Sequence, residues 1–298
     1  MPSFKGIKKA LLGAEPWNET IRRYVDDVFH TNFYWPTVLK RLRSLYLVEG
    51  KYYKFRDVKL PLLSESEEEL LFRTIYEDTF WSYLHCGNNY DEKTFDECDK
   101  FLLEGLYGLV NEKVNVTVKP GDIVIDCGSW VGDFAAYASV AGGGAIYAFE
   151  PADETFIMLQ KTAELNPNII PVKKGLAGKT ETMTIFNMSG NSGGNSLMNH
   201  EASINFERAS SVEAISIDDF VRENNLPRVD FIKADIEGFE RHMLEGAQET
   251  LRNFAPKLAL CTYHLPDDPE VMEALIKKAN PKYNVVQKRK KLFASVPN

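Results

Sequence analysis

The chain has no run of roughly 18 apolar residues, the length a membrane-spanning helix requires. Its opening, MPSFKGIKKALLGAEPW, lacks the apolar stretch of a secretory leader. The four cysteines, Cys86, Cys98, Cys127 and Cys261, form no C-x-x-C pair and no disulfide spacing. Together these absences point to a reducing, cytoplasmic setting. Cationic excess is missing too: 35 Lys and Arg stand against 43 Asp and Glu, a net charge of −8. A protein that coats nucleic acid needs clustered cations against the phosphates, and no N-P-P-Y-type element is present, so nucleic acid is not an expected partner. There is no internal repeat.

What is present divides in two. At 298 residues, 44% hydrophobic and 26% charged, the chain has room for one large α/β domain and an appendage. Residues 1–110 read as mostly helical: WNETIRRYVDDVF, WPTVLKRLRSLYLV and KTFDECDKFLLEGLYGLV place apolar residues at three- and four-residue steps. In LSESEEELLF, Ser64 or Ser66 followed by Glu67 or Glu69 predicts a capping box at a helix start. This region is rich in aromatics (Phe33, Tyr34, Trp35, Tyr52, Tyr53, Phe80, Trp81 and Tyr83), which suits ordinary packing, a substrate cleft or an oligomer interface. A homo-oligomer therefore stays open. His85 beside Cys86 has no companion pair for zinc.

Residues 111–298 change grammar. Strands are predicted at 123–126, 145–150, 169–174, 181–187, 212–216, 230–235 and 257–262, with a closing pair at 283–288 and 291–295. Helices are predicted over 132–139, 153–165, 217–223, 239–246 and 270–279. Alternating β and α units imply a mainly parallel sheet with helices on both faces. Cys127 and Cys261 fall at buried strand ends, as small hydrophobes do. QKRKKL, around the closing turn, suits a solvated hairpin or a site for an anion.

Ile123 to Ser139, IVIDCGSWVGDFAAYAS, runs an apolar strand into Asp126, a turn at Gly128 and a helix after Gly132. Glycine at 128 lets a ligand approach the backbone, and Gly132 allows close packing of the helix. The next strand, AIYAFEP, ends in Glu150, an acid placed to accept both hydroxyls of a ribose. The turn reads D-x-G-x-x-x-G. Dinucleotide oxidoreductases use G-x-G-x-x-G to seat a pyrophosphate, so an NAD-dependent enzyme is the weaker reading. A non-catalytic binding protein on the same fold is a third. Downstream, VDFIKADIEGFE delivers Lys233, Asp235 and Glu237 to the carboxyl edge, and KLALCTYHLPDD ends its strand near His264.

DCGSWVG, AFEP, IKADIEGFE and MLEGA together resemble the FkbM-type methyltransferase family over residues 118–298. The resemblance implies a Rossmann-like class I methyltransferase sheet, S-adenosylmethionine as donor, and O-methylation of a saccharide, glycolipid or glycosylated natural product. It places the cofactor on Asp126, Gly128, Ser129, Gly132, Glu150, Pro151 and Asp235. It makes His264, Asp235 and Glu237 the catalytic group, with His264 the base, Asp235 its competitor and Glu237 orienting the acceptor. No metal is expected, although the same three side chains are the set that would ligate a divalent ion. Trp130 departs from the family, which has a small or amide residue there. The loop from Asn187 to Leu197, with Asn195 and Ser196, suits a lid or a glycan contact.

Overall fold

The computed structural model describes residues 47–55, 57–64, 67–68, 107–188, 195–197, 206–288 and 290–297. Contacts divide the chain into units Met1–Leu47 and Val48–Asn298, and all that follows concerns the second. The predicted helices WNETIRRYVDDVF, WPTVLKRLRSLYLV and most of KTFDECDKFLLEGLYGLV lie outside the described residues. So do Phe33, Tyr34, Trp35, Phe80, Trp81, Tyr83, His85, Cys86 and Cys98.

Seven strands form the central sheet: β1 (Ile123–Cys127), β2 (Ala145–Phe149), β3 (Ile169–Val172), β6 (Phe231–Ala234), β7 (Lys257–Cys261), β8 (Asn284–Lys288) and β9 (Lys291–Ser295). Their order is β8-β9-β7-β6-β1-β2-β3. Strands β3, β2, β1, β6 and β7 run parallel. Strand β9 runs antiparallel to both β7 and β8. This is the α/β sheet with a reversed closing strand that the sequence predicts. Between β3 and β6, β4 (Glu181–Met188) and β5 (Phe206–Ile215) pair as a separate antiparallel ribbon, which the two-residue strand Gly175–Leu176 extends. The predicted strand 212–216 is the end of this longer β5.

The helices are α1 (Asp133–Val140), α2 (Asp153–Leu165), α3 (Ile217–Glu223), α4 (Glu240–Glu245), α5 (Gln248–Asn253) and α6 (Asp268–Ala279). Helix α5 was not predicted. The parallel strands are covered on both faces, so they read as apolar runs rather than alternating patterns. On one face Ile125, Ile232, Leu258 and Leu260 pack with Phe220, Met243, Leu251, Met272 and Ile276. Buried side chains of this size are worth roughly 1.5–3 kcal/mol each. On the other face Phe134 of α1 stacks on Phe231, with ring centroids 5.8 Å apart.

Within the region expected to be mostly helical, the described residues hold an antiparallel hairpin, Tyr52–Phe55 with Val58–Pro61, that packs on α1 and α2. A capping pair is closed by Ser64 and Glu67: the Ser64 N–H donates to Glu67 Oε2 at 3.1 Å, and the Glu67 N–H returns to Ser64 Oγ at 3.4 Å.

Candidate active site

All five parallel strands end on one edge, where loops rather than ladder bonds set the backbone. The tips of β1 and β6 touch there. The Asp235 N–H donates to the Cys127 carbonyl at 3.1 Å. Gly128 follows with φ +73, and a Cβ on it would collide with the Asp235 carbonyl oxygen and lie 2.8 Å from Ile236 Cγ2. Glycine is needed there first because the backbones leaving the two strand tips approach so closely. Gly132, at φ +87, is forced by the approach of α2, since a Cβ would sit 2.8 Å from Leu159 Cδ1 and 3.0 Å from Thr162 Cγ2. The close contact that the sequence assigns to helix and strand is therefore between two helices.

Behind the turn lies a buried ion pair. Asp126 and Lys233 are register partners on β1 and β6, and Lys233 Nζ lies 3.1 Å from Asp126 Oδ1. Lys233 also donates to the Gly128 carbonyl at 2.6 Å. Burial opposes the ammonium charge, but Asp126, Asp235 and Asp133 outweigh it and hold the pKa above the ordinary lysine range. Asp126 is fully buried, and Ser129, equally buried, donates Oγ to the Asp126 carbonyl at 3.0 Å.

The cleft in front is lined by Gly128, Trp130, Glu150, Pro151, Asp235 and Glu237 among others. Of the residues predicted to hold a cofactor, Gly128, Glu150, Pro151 and Asp235 line it, while Asp126, Ser129 and Gly132 stand behind its wall. Glu150 is 6% exposed. It accepts the Trp130 N–H on Oε2 and the Ala152 N–H on Oε1, each at 3.0 Å. Burial pushes its carboxyl up to about 7 against those hydrogen bonds. Trp130 takes φ +48 so that its N–H can turn onto Glu150. Its indole lines the cleft.

The acids of ADIEGFE are set out by the third one. Glu240 is fully buried and accepts the Ile236 N–H at 2.8 Å and the Gly238 N–H at 3.0 Å. This folds the loop so that Asp235 and Glu237 face the cleft, with Glu237 at φ +53. His264 closes the group: Nδ1 lies 3.1 Å from Glu240 Oε1, and Nε2 lies 3.4 Å from Glu237 Oε2 and 3.7 Å from Asp235 Oδ1. Burial works against the imidazolium, yet Glu237 and Glu240 prevail and raise its pKa to about 10. An imidazole already protonated at neutral pH cannot take a proton, which opposes its predicted role as base. Asp268, buried at the start of α6, holds the His264 loop by accepting the Leu265 N–H at 2.8 Å and the Arg241 Nε–H at 2.6 Å.

Two tyrosines were not anticipated. Tyr107 donates to Asp235 Oδ2 at 2.8 Å and Tyr263 to Oδ1 at 2.9 Å. Burial works against the Asp235 carboxylate, but Lys233, His264 and these hydroxyls outweigh it and keep its pKa below the usual range. Tyr263 was legible only as the neighbour of His264. Tyr107 carries no signal, lying before the alternating pattern begins. From the predicted loop, Asn195 lines the cleft and Ser196 Oγ donates to the Glu237 carbonyl at 2.8 Å; residues 189–194 lie outside the described residues. Asp235, Glu237 and His264 bring one ligand atom each within 4.8 Å of one another.

A strand-end acid over a glycine turn, a ribose-type acid on the next strand and an acidic loop on the fourth are the parts the sequence resemblance names. The family model of the methyltransferase FkbM domain matches residues 126–283, half of the chain and more. The chain belongs to the FkbM methyltransferase family. The cleft is the candidate active site, and the chain spans less than two thirds of the length of the first relatives it matches. Hexuronic acid methyltransferase AglP of Haloferax volcanii is 25% identical over 159 residues, which cover 53% of this chain and 62% of that relative. Among solved structures, methyltransferase FkbM from Methylobacillus flagellatus is 17% identical with a TM-score of 0.47, covering 78% of this chain and 56% of that chain. The fibrillarin pre-rRNA processing protein of Methanococcus jannaschii is 13% identical with a TM-score of 0.40, covering 84% and 86%. Among the described residues no helix is long and apolar enough to cross a membrane.

Proposed function

We propose that this methyltransferase uses S-adenosylmethionine to methylate a hydroxyl of a saccharide or a glycosylated small molecule. The observation that carries the reading is Glu150. It is a buried carboxylate that lines the cleft and is anchored by two backbone N–H groups and the Thr155 side chain, at the place where a ribose diol would be held. Gly128 and Pro151 shape the wall, while Asp126, Ser129 and Gly132 hold the turn in place.

When bound, S-adenosylmethionine supplies a methyl carbon open to in-line displacement. The chain's part is alignment, which contributes roughly 7–11 kcal/mol in well-oriented reactions. Glu237 takes the proton of the acceptor hydroxyl, a step worth roughly 10²–10⁴-fold. His264, as a cation 3.4 Å away, holds Glu237 in position and neutralises part of the acidic group. Asp235, locked by Tyr107 and Tyr263, orients the acceptor and faces the donor's cationic part. The acceptor class is supported by the relative named for hexuronic acid.

The test is incubation with isotope-labelled donor and a panel of glycans, followed by mass spectrometry of the product. A labelled saccharide is expected, and Glu237→Gln should lower kcat by roughly 10²–10⁴-fold while sparing donor affinity. Donor binding with no saccharide labelled anywhere in the panel would overturn the acceptor assignment.

A further inference from the structure

Strand β9 runs opposite to β7, so the turn between β8 and β9 returns to the carboxyl edge. Lys291 is the register partner of Cys261, the last residue of β7, and the Thr262 N–H donates to the Lys290 carbonyl at 3.0 Å. Both lysines therefore flank the loop that carries Tyr263 and His264. Lys290 Nζ lies over the Tyr263 ring, 5.9 Å from its centroid, and Lys291 Nζ lies over the Tyr107 ring at 5.0 Å. These are the same two tyrosines whose hydroxyls converge on Asp235. Tyr263 thus joins the central carboxylate to Lys290, and Tyr107 joins it to Lys291 while also carrying Lys233 on its ring at 5.2 Å.

Among the described residues neither lysine has a carboxylate within ion-pair distance, and aromatic faces are the contacts they make. Lys291 is only partly exposed. A cation drawn from water without a counter-charge costs free energy unless something compensates it. The rest of the acidic edge has its charges matched: Lys233 serves Asp126, and His264 serves Glu237 and Glu240. Two unmatched cations remain on the acceptor side, in a chain of net charge −8. Beside them Tyr263 is 46% exposed, an amphipathic ring of the kind that covers apolar faces of a ligand while its hydroxyl stays bonded.

We infer that Lys290 and Lys291 form an anion subsite, and that the acceptor is an acidic sugar whose negative substituent they read while Tyr263 packs on the ring. The inference rests on the saccharide reading above and narrows it. A uronate carboxylate and a sugar phosphate share this chemistry, so both enter the test.

The experiment compares kcat/KM for matched acceptors, a glucuronate-terminated oligosaccharide, its glucose counterpart and the corresponding glucose phosphate, in the wild type and in K290E/K291E. Wild type should favour an anionic acceptor over the neutral one by roughly 10-fold or more, a difference of about 1.4 kcal/mol. The preference should reside in KM and weaken as salt is raised. The double variant should lose the preference, with melting temperature and donor affinity retained as checks on folding. Preference for glucuronate assigns a carboxylate, and preference for the phosphate assigns a phosphoryl group. Equal use of neutral and anionic sugars by wild type, or a preference that survives K290E/K291E, overturns the inference and leaves the saccharide reading standing. Failure of all three sugars while the wider panel yields another saccharide product overturns it in the same way. Failure of every saccharide overturns both.

Discussion

Glu150 accepts two backbone N–H bonds inside a wall that otherwise excludes water, and burial pushes its carboxyl up to about 7 from an ordinary glutamate value. It therefore ionises as pH rises through neutrality, and only the ionised form offers full acceptor strength to a diol. Donor affinity, measured by calorimetry, should rise between about pH 6 and pH 8 in the wild type. Glu150→Gln should bind roughly 10-fold or more weakly and lose that pH dependence. His264 gives the opposite sign. Its folded pKa of about 10 lies above the ordinary value, so its contribution to stability is complete below about pH 6.5 and is lost as pH rises toward 10. The melting temperature of wild type should exceed that of His264→Gln most at low pH, and the gap should close toward pH 10. Asp235, Glu237 and His264 were legible as a group because apolar strands deliver polar residues to one edge. The charge of His264 was not legible, since it follows from Glu237 and from Glu240, whose carboxylate turns inward under the loop. A one-dimensional pattern shows an acid at that position and nothing of where it points.

At the scale of elements, the contact that fixes the site is the close approach of the chain after β1 to the chain after β6. Gly128→Ala places a Cβ against the Asp235 carbonyl at a positive φ, adding overpacking to backbone strain, together at least about 2 kcal/mol. For a chain of this size that is a fall in melting temperature of at least about 4 °C by calorimetry. An unchanged melting temperature would mean that the two tips part without cost. The central strands were readable because burial on both faces makes each one a short apolar run bounded by turn residues. Strand β5 was only half readable. FERASSVEAI is polar at half of its positions, and its extension back to Phe206 is set by pairing with β4, a partner outside any local window. Helix α5, at QETLRN, is shorter than two full turns and is held by its neighbours: Asp218 of α3 accepts the Glu249 and Thr250 N–H groups at 2.9 and 2.8 Å. Periodicity needs more length than that to show.

At the scale of the whole molecule, a donor that binds only the folded chain must raise its stability, by about 2.7 kcal/mol at a concentration a hundred times Kd. S-adenosylmethionine should therefore raise the melting temperature while NADH at the same excess leaves it unchanged; the reverse outcome would restore the oxidoreductase reading. Net charge, the coarsest property of the sequence, hides the arrangement: excess acid overall, yet a pair of cations brought to the carboxyl edge by the reversed strand. Lys233 carries a different consequence. One ammonium group answers to Asp126, Asp133 and Asp235 at once, across the interface of β1 and β6. No one of these positions is free to drift alone, because a neutral residue at 233 would strand Asp126 in the interior at a cost of about 3–5 kcal/mol. In the history of such a chain, position 126 loses its acid and position 233 its base together or not at all. Aligned descendants should show the two as a single inherited character.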